Sequence, residues 1–127
     1  MRFFIDELEI LFPYEYIYPE QYAYMVELKK AIDAKGHCLL EMPSGTGKTI
    51  TILSLIIAYM IKYPAKLSKL LYSTRTLSEI EKAAEELRVL CDYYKTNKYD
   101  VSILGVVLSA RKNLCINPTI SGEHNGR

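Results

Sequence analysis

The chain has 127 residues, half of them hydrophobic and 24% charged, with 16 Lys and Arg against 15 Asp and Glu. A chain of this kind buries roughly two-thirds of its unfolded surface, so it reads as one ordinary globular domain rather than a disulfide-stapled mini-protein or a disordered tail. The formal charge of +1 excludes a polybasic nucleic-acid arm but leaves room for a local basic patch. Cys38, Cys91 and Cys115 are too few and too scattered for a disulfide framework, which points to a reducing, intracellular setting. Asp6 and Glu7 come too early for a secretory signal. The longest apolar run, 50–61, falls short of the roughly 20 residues that span a bilayer, so no membrane association is expected.

In chain order, Phe3 to Ile5 and Glu9 to Phe12 predict two short strands around an Asp6-Glu7-Leu8 turn, closed by Pro13. Pro19 suits the first turn of a helix whose inner face would use Tyr22, Met25, Val26 and Ile32, with Gly36 as its stop. His37 to Glu41 reads as a short apolar strand, Met42 to Gly47 as a loop, and Lys48 to about Lys62 as a helix apolar almost all round, hence buried on several sides. Lys69 to Ser73 reads as a second strand. Thr76 and Glu79 have the spacing of a helix-capping pair, and behind them Ile80, Ala83, Ala84, Leu87, Leu90, Cys91 and Tyr94 recur at helical period. After a polar turn, Val101 to Leu108 is apolar enough for a strand buried on both faces. Strand and helix alternate, which predicts an α/β fold with a parallel sheet and flanking helices.

The segment Met42-Pro43-Ser44-Gly45-Thr46-Gly47-Lys48-Thr49 lies between a predicted strand and a predicted helix, the setting of a nucleotide-phosphate loop. Glycines at 45 and 47 let the backbone curl and aim N–H groups at phosphate oxygens, and the helix N-terminus adds partial positive charge. Lys48 would reach the β- and γ-phosphates of ATP, and the Thr49 hydroxyl would ligate the Mg²⁺ that bridges them. Met42 stands where the full motif has its first glycine.

With this loop between Tyr18-Pro19-Glu20-Gln21 upstream and Ser73-Thr74-Arg75-Thr76 downstream, the sequence resembles the N-terminus of the XPD-type iron–sulfur DNA helicases of superfamily 2. The likeness runs through residues 1–118 and includes Phe12 to Gln21, Leu40 to Thr49, Glu79 to Leu87 and Arg111 to Ile116; the polar tail 119–127 departs from it. The resemblance implies part of the first RecA-like domain, reaching the start of the iron–sulfur domain and ending before the Walker B strand. It implies ATP-driven 5′ to 3′ movement on single-stranded DNA, a place among the subunits of TFIIH in excision repair and transcription initiation, and a nuclear location. Gln21 would belong to an adenine-reading element with Tyr18 stacking on the base, although from the residues alone Gln21 reads as an exposed first-turn residue. Arg75 and Thr76 would lie near the DNA backbone, and Thr76 is explained equally well by its capping role.

The resemblance further implies that Cys115 is the first of four thiolates of a [4Fe–4S] cluster, with Arg111 near anionic groups. Cys38 and Cys91 read as ordinary small hydrophobes. The 11 tyrosines, with no tryptophan, read mostly as residues at core edges rather than base-stacking platforms. No predicted strand ends in an Asp-Glu pair, since Asp6, Asp33, Asp92 and Asp100 fall in turns or helices. The expectation is therefore an ATP-binding fragment that does not turn ATP over, with an uncovered apolar sheet edge that favours association. The competing readings are a non-catalytic decoy that occupies the helicase's partners and an unrelated phosphate-loop NTPase.

Overall fold

The computed structural model describes residues 1–43, 45–110, Leu114 and Ile116. Two strands and three helices follow one another: β1 (Arg2–Ile5), β2 (Leu8–Leu11), α1 (Pro19–Asp33), α2 (Lys48–Lys62) and α3 (Leu77–Thr96). The strands form an antiparallel hairpin in which Arg2 faces Leu11 and Ile5 faces Leu8. Asp6 opens the two-residue turn with a left-handed φ of 51°, a conformation that Asp tolerates better than most side chains. One further pair of hydrogen bonds extends the hairpin: the Phe12 N–H donates to the Met1 carbonyl, and the Met1 ammonium donates to the Phe12 carbonyl at 2.6 Å.

The centre of the molecule is α2. Its residues from Ile50 to Tyr59, apart from half-buried Ile52, are buried, and it packs against α1, α3 and β2 at once. An apolar surface on every side leaves no face for water, so this helix has to be surrounded. Ile5, Leu8, Ile10, Leu11 and Phe12 cover it from the hairpin, Met25 from α1, and Leu90 and Tyr94 from α3. On α1 the predicted inner face is present but rotated. Met25 and Gln21 are buried, whereas Tyr22 is 42% exposed and lies at the edge against Phe3.

Both flanking helices end in the same way. At α1, the Lys35 N–H donates to Ile32 and the Gly36 N–H to Ala31; at α3, the Lys98 N–H donates to Lys95 and the Tyr99 N–H to Tyr94. These paired bonds satisfy the last carbonyls around one left-handed residue. That residue is Lys35 (φ 51°) in α1 and Lys98 (φ 64°) in α3, so Gly36 is the residue after the stop and not the stop itself.

The expected parallel sheet is not present among the described residues. His37 to Glu41, Lys69 to Ser73 and Val101 to Leu108 form no strand, no backbone hydrogen bonds join them, and the sheet consists of the β1–β2 hairpin alone. Segments 69–73 and 101–104 keep an alternating burial, whereas 104–108 is exposed throughout. Leu70, Tyr72, Val101 and Ile103 turn inward, while Leu71 and Leu104 are 92% and 89% exposed. Apolar residues on both faces suit a strand with neighbours on both sides and cover on both faces. A strand is a pairing and not a property of one segment, so without those neighbours the composition does not produce a ladder. Segment 101–108 leans instead on α3, where a Cβ added at Gly105 would stand 2.7 Å from Leu87.

A polar network clamps the hairpin, α1 and α2 together. Lys29 donates to Asp6 at 3.0 Å and to Asp33 at 2.8 Å, and the buried Tyr59 hydroxyl donates to the other Asp33 oxygen at 2.8 Å. The Lys29 and Tyr59 hydrogen bonds hold the Asp33 carboxyl below its ordinary value of 3.8. The bonds to Asp33 and Asp6 raise the Lys29 ammonium above its ordinary 10.5. A carboxyl depressed on folding stabilises the fold above its unfolded pKa, and that contribution is lost as pH falls through the folded value. Asp33→Asn should therefore lower the urea midpoint near neutral pH. The gap from the unaltered protein should close once the pH drops below 3.8 toward the folded carboxyl's value, as read by denaturant titration at several pH values.

Candidate phosphate-binding site

The loop that precedes α2 is shaped by its two glycines. Gly45 and Gly47 both adopt left-handed φ, 81° and 73°, which a side chain occupies only with strain. Their surroundings differ. A Cβ at Gly45 would meet nothing within 4 Å, whereas one at Gly47 would stand 2.9 Å from Gln21 Nε2 and 3.4 Å from Ile50 Cγ2. Met42 is buried and is not among the described residues with positive φ, which are Asp6, Lys35 and Lys98 besides the two glycines. The first motif position here thus uses ordinary backbone and places its side chain in the interior, so it does not need glycine.

Gly47 is also the N-cap of α2, with no side-chain hydrogen bond to the helix end and no acidic residue in the first turn. The first N–H groups of an α-helix have no partner within the helix, and among the described residues no capping side chain competes for them. Lys48 and Thr49 stand in that first turn. The Lys48 ammonium donates to the Met42 carbonyl at 2.8 Å and to the Pro43 carbonyl at 3.1 Å, and the Thr46 hydroxyl donates to Pro43 at 2.7 Å. Thr51, one turn on, back-bonds to the Gly47 carbonyl at 2.8 Å. Left-handed glycines, an uncapped helix start and a lysine held at the loop fit a phosphate group, and Thr49 supplies a hydroxyl for Mg²⁺. Among the described residues no group of three or more His, Cys, Asp or Glu could hold a metal by itself.

The structure brings Gln21 to this loop. Gln21 is 3% exposed, contrary to its reading as an open first-turn residue. Its Oε1 accepts the Tyr18 N–H at 2.9 Å, fixing the start of α1, and its Nε2 lies against Gly47. Tyr18 is 60% exposed at the N-cap of α1, where its ring is open to a ligand. The sequence reading missed Tyr72, whose hydroxyl is 3.4 Å from Thr49 Oγ1. Tyr24 and Cys38 gather nearby: burial first, and then the Cys38 thiol and the Tyr72 phenol, push the Tyr24 phenol up. Only the polar end of an otherwise apolar segment could have signalled this position.

Arg75 and Thr76 stand at the start of α3, where Thr76 is the N-cap. Thr76 Oγ1 accepts the Glu79 N–H at 3.3 Å, and the Glu79 carboxylate returns to the Arg75 N–H at 3.1 Å. The capping pair therefore closes one residue earlier than the usual box, which returns to the cap residue itself. The Arg75 side chain is 92% exposed, with Glu79 at 3.9 Å. Ser44, Arg111 and Cys115, with the 118/119 boundary and the tail, lie outside the described residues. A groove of ≈ 670 Å³ between α2, α3 and segments 68–72 and 103–108 does not include the loop. No helix among the described residues is long and apolar enough to cross a membrane.

A glycine-shaped loop opening an apolar helix has the form that a phosphate group fits. Residues 72–127 match the DEAD_2 family. The chain is 54% identical over 127 residues to the general transcription and DNA repair factor IIH helicase subunit XPD of Schizosaccharomyces pombe. It is 53% identical over 127 residues to the XPD/RAD3 subunit of Saccharomyces cerevisiae, and 53% over 126 residues to XPD of Arabidopsis thaliana. These matches take in 98–99% of the chain but only 16–17% of each relative. By sequence the chain corresponds to a partial, N-terminal region of the XPD-type helicase subunits.

The loop geometry makes its own prediction. Gly45→Ala and Gly47→Ala both incur left-handed strain of about 1–2 kcal/mol, but only the second collides with Gln21. Thermal melting should show the larger loss for Gly47→Ala.

Proposed function

We propose that this chain is the ATP-phosphate-binding part of a 5′ to 3′ DNA helicase of the TFIIH type, serving excision repair and transcription initiation in the nucleus. The observation that carries the reading is the loop itself: Gly45 and Gly47 in left-handed φ ahead of an uncapped helix that starts with Lys48 and Thr49. Whole-chain identity above half to helicase subunits supports it over an unrelated NTPase. The fold proposed for the complete domain is RecA-like, with the apolar segments 37–41, 69–73 and 101–108 as strands of its parallel sheet.

In this reading the α2 N–H groups and the Gly47 turn hold the phosphates, Lys48 leaves the Met42 and Pro43 carbonyls for phosphate oxygens, and Thr49 turns its hydroxyl oxygen to Mg²⁺. Mg²⁺ supplies charge neutralisation at the β- and γ-phosphates. Gln21 Nε2 and the Tyr18 ring face the base. Arg75 holds a single-stranded DNA phosphate in place of its long contact to Glu79, with Thr76 at the same helix start and Arg111 as a further anion contact. Cys115 is the proposed first [4Fe–4S] ligand. The chain has three cysteines, and Cys38 and Cys91 lie before α2 and within α3. Four thiolates are not available from this sequence, and no step here depends on the cluster.

Water activation needs an acid that these residues do not provide, because Asp6-Glu7 is the hairpin turn and Asp6 is paired with Lys29. The chain by itself should bind Mg-ATP without turning it over. Lys48→Ala should weaken that binding at least about 10-fold, since it removes a charge-assisted contact worth about 1.5–3 kcal/mol, as read by titration with a fluorescent ATP analogue. Steady hydrolysis by the pure chain that disappears with Lys48→Ala would overturn the reading. In the complete gene product, Arg75→Ala should weaken single-stranded DNA binding uniformly across sequences. The slope of log affinity against log salt should fall by about 0.7, one phosphate contact on a single strand.

A further inference from the structure

Thr49 is expected to give its oxygen to a metal, and a hydroxyl that does so must send its proton elsewhere. It has one O–H and two lone pairs. A cation on one lone pair makes the proton more acidic and raises the value of a nearby acceptor. The next residue able to back-bond, Thr51, uses the Gly47 carbonyl. Thr49 has a different partner: the Tyr72 hydroxyl, 3.4 Å from Thr49 Oγ1, with both residues half-buried. Tyr72 lies on the segment that leads into Arg75 and Thr76. It is set among Tyr24 and Cys38 rather than in open solvent.

We propose that Tyr72 is a positioning residue for the Thr49 hydroxyl: its phenol oxygen accepts the Thr49 proton and so aims the Thr49 oxygen at the Mg²⁺ of a bound nucleotide. The inference rests on the phosphate-loop reading above and deepens it. Groups that orient a metal ligand typically change metal affinity about 10- to 100-fold when removed. The distance of 3.4 Å is long for an O–H···O bond, which places the effect below that range, at about 5- to 10-fold.

The test uses the complete gene product and a fluorescent ATP analogue titrated with Mg²⁺. Tyr72→Phe keeps the ring and removes only the hydroxyl. It should raise the half-saturating Mg²⁺ concentration about 5- to 10-fold, with nucleotide affinity in EDTA and the melting temperature unchanged. Adding Tyr72→Phe to Thr49→Val should have no further effect, because the two residues act through one hydroxyl. An unchanged Mg²⁺ midpoint overturns the proposal, whether or not melting shifts. An effect of Tyr72→Phe that survives in full in the Thr49→Val background also overturns it. Failure of the parent reading is visible separately, in unaltered protein whose nucleotide binding ignores Mg²⁺ or in Lys48→Ala protein that binds normally; either removes the basis of the proposal.

Discussion

The constraint on which the molecule depends is that α2 has no polar face. Each Ile or Leu that it buries contributes about 1.5–3 kcal/mol, so the hairpin, α1 and α3 are held where they can cover it. Even its interior hydroxyls conform. Thr51 returns to the helix backbone, and Ser54 Oγ is buried with no partner among the described residues, an arrangement costing about 1–3 kcal/mol that the surrounding packing has to outweigh. With α2 fixed on three sides, its first turn is fixed too. The orientation of the loop ahead of it is set from the core, together with the bonds that Thr46 and Lys48 make within the loop.

That coupling runs through one close approach. Gly47 is at once the N-cap of α2, a left-handed residue and the surface against which Gln21 packs. The Gln21 carbonyl oxygen in turn receives the N–H at the cap of α1. One amide thus links the starts of two helices whose cores are already locked together through Met25 and the α2 interior. A nucleotide spanning Tyr18 and Lys48 would span that junction, so base and phosphate would be read by elements that cannot drift apart independently.

The helices were legible because their signals are local. Pro19, the alternation of the Ile80-to-Tyr94 face, and the Thr76 cap each specify structure within a turn or two, and the predicted start of α2 at Lys48 coincides with the observed one. The hairpin was legible because its paired residues lie only three to nine positions apart. The parallel strands were not, since a strand becomes one only when another segment supplies the ladder; Leu71 and Leu104, apolar and exposed, are strand composition without pairing. Burial at the site was hidden for a related reason. Gln21 reads as polar and therefore outward, and only the missing Cβ at Gly47 makes the pocket that takes it in. Tyr72 carried no motif at all, and its place beside Thr49 is purely a matter of three-dimensional packing. Lys35 and Lys98 at left-handed positions are equally illegible, because the bonds of a helix stop are made by backbone.

The loop as it stands is not a passive vacancy for phosphate. Lys48 already satisfies two of its donors on the Met42 and Pro43 carbonyls, so phosphate binding exchanges hydrogen bonds and does not simply add them. The difference between a charged acceptor and a neutral carbonyl is what the exchange gains: charge-assisted hydrogen bonds are worth about twice neutral ones, and the gain is larger where water is excluded. On the proposed reading, this arrangement would favour a highly charged phosphate chain. A neutral or singly charged ligand offers Lys48 little that the carbonyls do not, while a triphosphate offers both higher charge and, with Mg²⁺, a claim on the Thr49 hydroxyl next door. On that reading Lys48 would leave its loop carbonyls for the ligand, while Thr49 would commit one direction of its hydroxyl to the cation. Tyr72 is the partner that Thr49 can keep, because accepting a proton from a hydroxyl does not compete with that hydroxyl's oxygen facing a cation.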